Sequence, residues 1–277
     1  VNSEGNPYND ATAVFLELRP LIRDVFDNKV KKPEDKSSVN CADMVQLHDT
    51  NRNKDLQVCV TWPKQKGHFP VIVFSHRVSG SRLDYKPIVE HWVKNGYVVI
   101  QADHSDSREL SNSDSNLDWI NRTHDLSFLI DSLSEIESLV PDIKGKIDNS
   151  RIGAGGHLIG AYAACTLAGQ KNFNPTAPKD LKDDRIKSTL LLSPQGRGQG
   201  LTEDSWNNVT GPMMVLNGSK IPSRRTENPA QWRCEPFTFS PPGNKYLVWI
   251  EGLNGNYAGL IQPGVGDDSK FATWILD

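Results

Sequence analysis

The sequence predicts an α/β protein built on a mostly parallel central sheet, with helices on both faces and an antiparallel hairpin at its N-terminal edge. Three observations carry this expectation. Short, continuously apolar runs alternate with segments of helical spacing, the pattern of strands buried on both faces and joined by crossover helices. Two runs near the N-terminus instead alternate apolar and polar residues across a turn. "RIGAGGHLIGAYAACTLAG", residues 151–169, couples a short strand to a small-residue helix through a glycine-rich bend.

Residues 1–40 are polar apart from the amphipathic stretch "ATAVFLELRPLIRDVFDN", expected to pack as an N-terminal extension on the body. "MVQLHD" and "LQVCVTWP", separated by "TNRNKD", form the hairpin. "FPVIVFSH" (69–76) and "YVVIQADH" (97–104) are buried strands. Between them "KPIVEHWVKNG" has proline in its first turn and a glycine stop, the signals of a helix. "LDWINRTHDLSFLIDSLSEIESLV" is the longest helix expected. "SRIGAGGH" is a strand feeding the helix "IGAYAACTLAG". "IKSTLLLSP", "GPMMVLNGS" and "KYLVWIEG" are three further strands, and "SKFATWILD" a closing helix. There is no internal repeat and no low-complexity linker, so 1–277 reads as one domain.

Composition narrows the function classes. The 277 residues are 37% hydrophobic, enough for a sizeable core, and the net charge is −3 with no large basic cluster, which argues against nucleic acid. No apolar run reaches membrane-spanning length, so a soluble chain with no membrane partner is expected. The chain begins with Val1. It reads either as the mature form of a secreted or periplasmic parent or as a trimmed recombinant chain. Cys41, Cys59, Cys165 and Cys234 show no metal spacing. Cys59 and Cys165 read as buried thiols, and a disulfide involving Cys41 or Cys234 is left open. "GAGGHLIG" has neither dinucleotide-loop spacing nor a following Lys-Ser/Thr, so no cofactor is expected. No His and carboxylate cluster has metal-ligand spacing.

In an open parallel sheet, ligands bind beyond the carboxyl ends of the strands. Six loops should line that crevice: "SHRVSGSRLDY", "ADHSDSREL", "GGHLIG", "SPQGRGQG", "NGSKIPSRR" and "EGLNGNYAGL". Their expected lining includes His76, Arg77, Val78, His104, His157, Leu158, Ile159, Gln195, Ile221, Asn254 and Gly255. Arg77 reads as either a clamp for a carboxylate or phosphate or a solvent-pointing rim residue. His104 reads either as a replacement base oriented by Asp103 or Asp106, or as a local hydrogen-bonding residue, and the second is favoured. His157 reads as packing under the bend. Lys220 would act as a Schiff-base amine only if desolvated. Ser79, Ser105 and Ser223 are loop hydroxyls off any sharp bend. Trp119 borders the crevice. His48, His68, His91 and His124 receive no role.

"PVIVFSH-x-x-SGSR", "GGH-x-IGAYAA", "PMMV-x-x-GSK-x-P" and "KYLVWIEG" carry a resemblance across about Met44 to Ile261. The chain resembles the α/β-hydrolases of the dienelactone-hydrolase and polyester-hydrolase (cutinase-like) branch. That resemblance implies an ester-like small-molecule substrate and a Ser, Asp, His triad in that chain order. The serine of the nucleophile elbow falls on Leu158. The aspartate falls on Ile221, and the histidine on Gly255, or on Asn254 or Asn256 in a shifted register. The His-Gly oxyanion loop becomes His76-Arg77. Leucine cannot attack, isoleucine cannot orient a base and glycine cannot accept a proton, so the native triad reads as removed. The backbone N–H of Ile159 still suits an oxyanion hole.

The flanks are intact and the substitutions sit at working positions. That pattern predicts an engineered variant with a remodelled pocket, ahead of a natural pseudoenzyme binding a small apolar or anionic ligand, or a hydrolase using His104. Each buried aliphatic side chain there offers roughly 1.5–3 kcal/mol of apolar burial to a ligand.

Overall fold

The computed structural model describes residues 39–110, 118–222 and 228–261, with Ala272 and Ile275 beyond them. The chain divides into Val1–Ser38 and Val39–Asp277, and the second unit carries the fold. The amphipathic stretch 11–28 lies outside the described residues. Val39 and Asn40, expected in the extension, instead open the first strand.

β1 (Val39–Asp49) and β2 (Lys54–Pro63) pair antiparallel through the expected turn. Asp49 closes that turn by accepting the backbone N–H groups of Asn51 and Arg52. β3 (Phe69–Ser75), β4 (Val98–Ala102), β5 (Ile147–His157), β6 (Ile186–Leu192), β7 (Met213–Lys220) and β8 (Lys245–Asn254) complete one sheet in the order β1-β2-β4-β3-β5-β6-β7-β8. β2 meets β4 antiparallel, and every later pairing is parallel. The carboxyl ends of β3 to β8 therefore share one edge of the sheet.

Alternation along the strands feeds two apolar cores, one on each face. On β4, Val98, Ile100 and Ala102 join one core and Val99 joins the other. The first core is roofed by α2 (Asp118–Asp131), α3 (Leu133–Leu139) and α4 (Ile159–Leu167), through Leu126, Leu129, Leu133, Ile136 and Ala161 to Cys165. The second is covered by α1 (Lys86–Lys94) through Ile88, Val89 and Val93. Ala272 and Ile275, helical within the expected closing segment, pack on it too.

The segment expected as one long helix is two. Ser132, at φ −90° and ψ 7°, interrupts it. Serine in a helix interior competes for backbone hydrogen bonds, which favours such a break. Short helical turns at Glu203–Trp206 and Ala230–Cys234, and α5 (Glu235–Phe239), fall in segments too irregular to show periodicity. Among the described residues no helix is long and apolar enough to cross a membrane.

Leu126 is fully buried between α2 and the sheet. Leu126→Ala is expected to lower unfolding free energy by about 2–5 kcal/mol, read by urea denaturation, with unchanged far-UV circular dichroism.

Candidate active site

The bend between β5 and α4 is a backbone crossing with no room to spare. A Cβ on Gly156 would lie 2.2 Å from the carbonyl carbon of Gly160, and one on Gly160 would lie 2.1 Å from the Ser75 carbonyl oxygen. These glycines let the strand turn directly into the helix beside β3. Leu158 stands at the apex with φ 54° and ψ −111°. A branched residue on that backbone costs on the order of 1–3 kcal/mol unless its surroundings impose it. They do so with two hydrogen bonds: the Leu158 N–H donates to the Leu192 carbonyl at 2.9 Å, and its carbonyl accepts the Tyr162 N–H at 3.0 Å. Ile159 is the first helical residue, so its N–H has no acceptor within α4.

Ile221 follows β7 and is buried in the second core. Gly255 follows β8, and a Cβ there would lie 4.0 Å from Ile221 Cγ2. The two loop ends are thus neighbours, close enough for an added methyl on one to touch the other. Buried Arg233 fixes this corner: it donates to the carbonyls of Ile221 (2.8 Å), Ser193 (3.0 Å), Pro194 (3.1 Å) and Pro222 (3.4 Å). Burial lowers its pKa. Beside it, Tyr257 OH donates to the Leu216 carbonyl at 3.0 Å and lies 2.5 Å from Ser193 Oγ, which donates to Asn217 Oδ1 at 2.7 Å. Asn254, the last residue of β8, accepts the Asn256 N–H through Oδ1. Gln195 bonds Gln199 near the rim.

A second set of polar groups lies under the β3 and β4 loops. His104 places Nε2 2.8 Å from Ser75 Oγ and Nδ1 2.8 Å from Asp125 Oδ2. All three are buried. The Asp125 carboxylate also accepts Arg52 at 2.7 Å and Lys54 at 2.8 Å. Burial alone would raise Asp125, but the His104 hydrogen bond and the charges of His104 and Lys54 outweigh it and hold the carboxyl far below its usual range. With Asp125 ionised, Nδ1 of His104 carries the proton, and Ser75 O–H donates to Nε2. Arg122 then fills the remaining side of Ser75 Oγ at 3.1 Å. Arg122 also donates to the His76 carbonyl and to Asp106 Oδ1, each at 2.5 Å.

Serine, histidine and aspartate here have the connectivity of a catalytic relay without an open face. Burial, then the Arg122 charge, depresses His104 to about 4. Its orienting carboxylate is Asp125 on α2, not Asp103 or Asp106. Asp103 pairs with Arg82 and Ser107, and Asp106 with Arg122. Asp125 and Arg122 were missed because they lie far along the chain from Ser75 and His104. A detectable signal was present: Arg122 and Asp125 stand at i,i+3 next to Leu126 and Leu129, charges on an otherwise apolar helix face.

His76 is buried, donates from Nδ1 to the Arg77 carbonyl at 2.7 Å and accepts the His104 N–H at Nε2. Arg77 is partly exposed, and its guanidinium reaches the carbonyl of exposed Val78. Its own N–H donates to Tyr85 OH at 3.0 Å. Tyr85 OH in turn lies 3.0 Å from Nδ1 of fully buried His157, whose Nε2 has no partner among the described residues. Burial, then the charges of Arg77 and Arg233, lowers His157 to about 3. Lys220 is exposed, so the desolvation a Schiff-base amine needs is absent. Ser223 lies outside the described residues. Trp119 packs against Tyr162 with ring centroids 5.0 Å apart. Among the described residues no group of His, Cys, Asp and Glu could hold a metal.

The strand order, the sharp β5–α4 elbow and the loops gathered at one sheet edge define an α/β-hydrolase. Two solved esterases share the fold. One is the esterase domain of a Rhodothermus marinus protein, with 12% identity, 87% of this chain and 95% of that chain covered, and a TM-score of 0.55. The other is the thermophilic esterase Est2 of the Planctomycetes species Thermogutta terrifontis, with 14% identity, 90% and 92% covered, and a TM-score of 0.59. The family model described as Chlorophyllase matches residues 23–177, more than half of the chain, and the chain belongs to that family. No curated protein matches its sequence significantly.

Two measurements check this geometry. Gly160→Ala forces a methyl into the Ser75 carbonyl and is expected to destabilise the fold by about 1–3 kcal/mol or more in urea unfolding. His104 and His157 titrate at about 4 and about 3 when folded, against 6.5 unfolded. The unfolded chain therefore binds more protons across that interval. Stability should be full above pH 6.5 and fall as pH drops toward 4 and then 3. His157→Gln should make the decline shallower.

Proposed function

We propose that the chain is an esterase-type α/β-hydrolase scaffold that has lost serine-based acyl transfer and keeps its crevice as a binding site for a small apolar or anionic molecule. The observation that carries this reading is Leu158 at the elbow apex, on a backbone of φ 54° that the neighbouring glycines and hydrogen bonds still enforce. An aliphatic side chain stands where the fold would present a hydroxyl. The facing pair Ile221 and Gly255 supports the same reading, because neither offers a base or an orienting carboxylate. The tight packing of Gly156 and Gly160 favours replacement of working residues on a maintained frame over general drift. Arg77 supplies a rim cation suited to an anionic group on the ligand.

The rival reading, hydrolysis by His104, is weakened by its burial and by the saturation of its partner Ser75. A nucleophile must reach substrate, and this one faces Arg122.

With p-nitrophenyl esters the protein is expected to turn over at the uncatalysed rate. Leu158→Ser, Ile221→Asp and Gly255→His combined should restore hydrolysis by at least about a hundredfold, the lower range for a positioned general base. A folded triple variant with no gain would refute the site assignment. Small aromatic carboxylates at hundredfold excess over Kd should raise Tm by on the order of 5 °C, and Arg77→Ala should reduce that shift. No shift with any such compound would remove the binding reading.

A further inference from the structure

The hairpin holds a pair of thiols unrelated to the crevice. Cys41 on edge strand β1 is exposed, while Cys59 on β2 is buried, and their sulfurs lie 3.5 Å apart. In register Cys41 faces Thr61, two residues along β2 from Cys59, so all three side chains share one face of the hairpin. Thr61 Oγ1 donates to Cys41 Sγ at 3.8 Å. Immediately beyond, the pairing slips between Ala42 and Val45, placing one extra β1 residue against β2. Cys165 and Cys234 are fully buried.

We propose that Cys41 and Cys59 form a thiol–disulfide exchange site, with Cys41 as the attacking sulfur, Cys59 as the resolving sulfur and a small-molecule disulfide of the glutathione type as oxidant. The roles follow from access. Cys41 meets solvent, and hydrogen bonds from Cys59 and then Thr61 draw its pKa below that of an ordinary thiol. Cys59 is shielded, and the Cys41 interaction and burial push its pKa up. The thiolate is the reactive form, so the two cysteines are divided into nucleophile and reserve.

The exchange balances in two steps. Cys41 loses its proton to solvent, and its sulfur attacks one sulfur of the small disulfide. A Cys41 mixed disulfide forms and one small thiolate leaves. Cys59 then loses its proton and attacks Cys41 Sγ, expelling the second small thiolate. The protein dithiol is oxidised to one disulfide, and the small disulfide is reduced to two thiols, which take up the two protons released. Closing 3.5 Å to a bond of about 2.05 Å brings the sulfurs about 1.5 Å closer.

The full chain, incubated folded with oxidised glutathione, should lose two of its four thiols, counted after denaturation, and two hydrogens of mass. Peptide mapping should find Cys41 joined to Cys59, and dithiothreitol should reverse it. Cys59→Ser should stop at a stable glutathione adduct on Cys41, with Cys59→Ala as a second variant should the serine disturb the buried site. Cys41→Ser should slow oxidation at least tenfold. A wild-type chain that accumulates the Cys41 adduct without closing, or that oxidises no faster than Cys41→Ser, overturns the proposal.

Discussion

The close approach of Gly156 and Gly160 to each other and to the Ser75 carbonyl governs the arrangement of the whole carboxyl edge of the sheet. With no Cβ at either place, β5 runs into α4 without a loop, and α4 lies against β3. That forces the intervening residue to φ 54° whatever its side chain. The elbow is thus a property of backbone packing, not of a nucleophile. A leucine can occupy it, since the hydrogen bonds to Leu192 and Tyr162 and the packed helix over-determine the local backbone.

Around this fixed point, the polar residues of the crevice divide by burial. Those beneath the loops are tied to one another: Asp125 collects Arg52, Lys54 and His104, while Arg122 ties α2 to the backbone of the loop after β3. Removing one member of such a buried network would leave its partners' charges unpaired, which is costly. Its histidine stays neutral because it is dry. On the other side, Arg233 binds the loops after β6 and β7 through their carbonyls, which fixes Ile221 close to Gly255. Reactive-looking residues therefore brace the loops at this edge of the sheet, while Arg77 stays partly exposed.

Much of this was legible in the chain. Continuous apolar runs marked β3 to β8, alternation marked the hairpin, and glycine spacing marked the elbow, since each depends on local periodicity or on a residue that alone fits the space. The break at Ser132 was not legible, because a single residue off helical geometry leaves the apolar spacing intact. The short helices after β6 and β7 were missed because they have too few residues to express a period.

What the sequence determined by itself was the succession of strands along the chain, the position of the elbow and which residues follow each strand at the carboxyl edge of the sheet. The tertiary structure alone decided the company those residues keep. His104 meets Asp125 rather than its neighbours Asp103 and Asp106, Ile221 meets Gly255, and Cys41 meets Cys59. The physical reason is that periodicity is written in neighbouring residues. Partnership of buried polar groups and thiols is set instead by which strands and helices the parallel crossovers and the hairpin bring side by side.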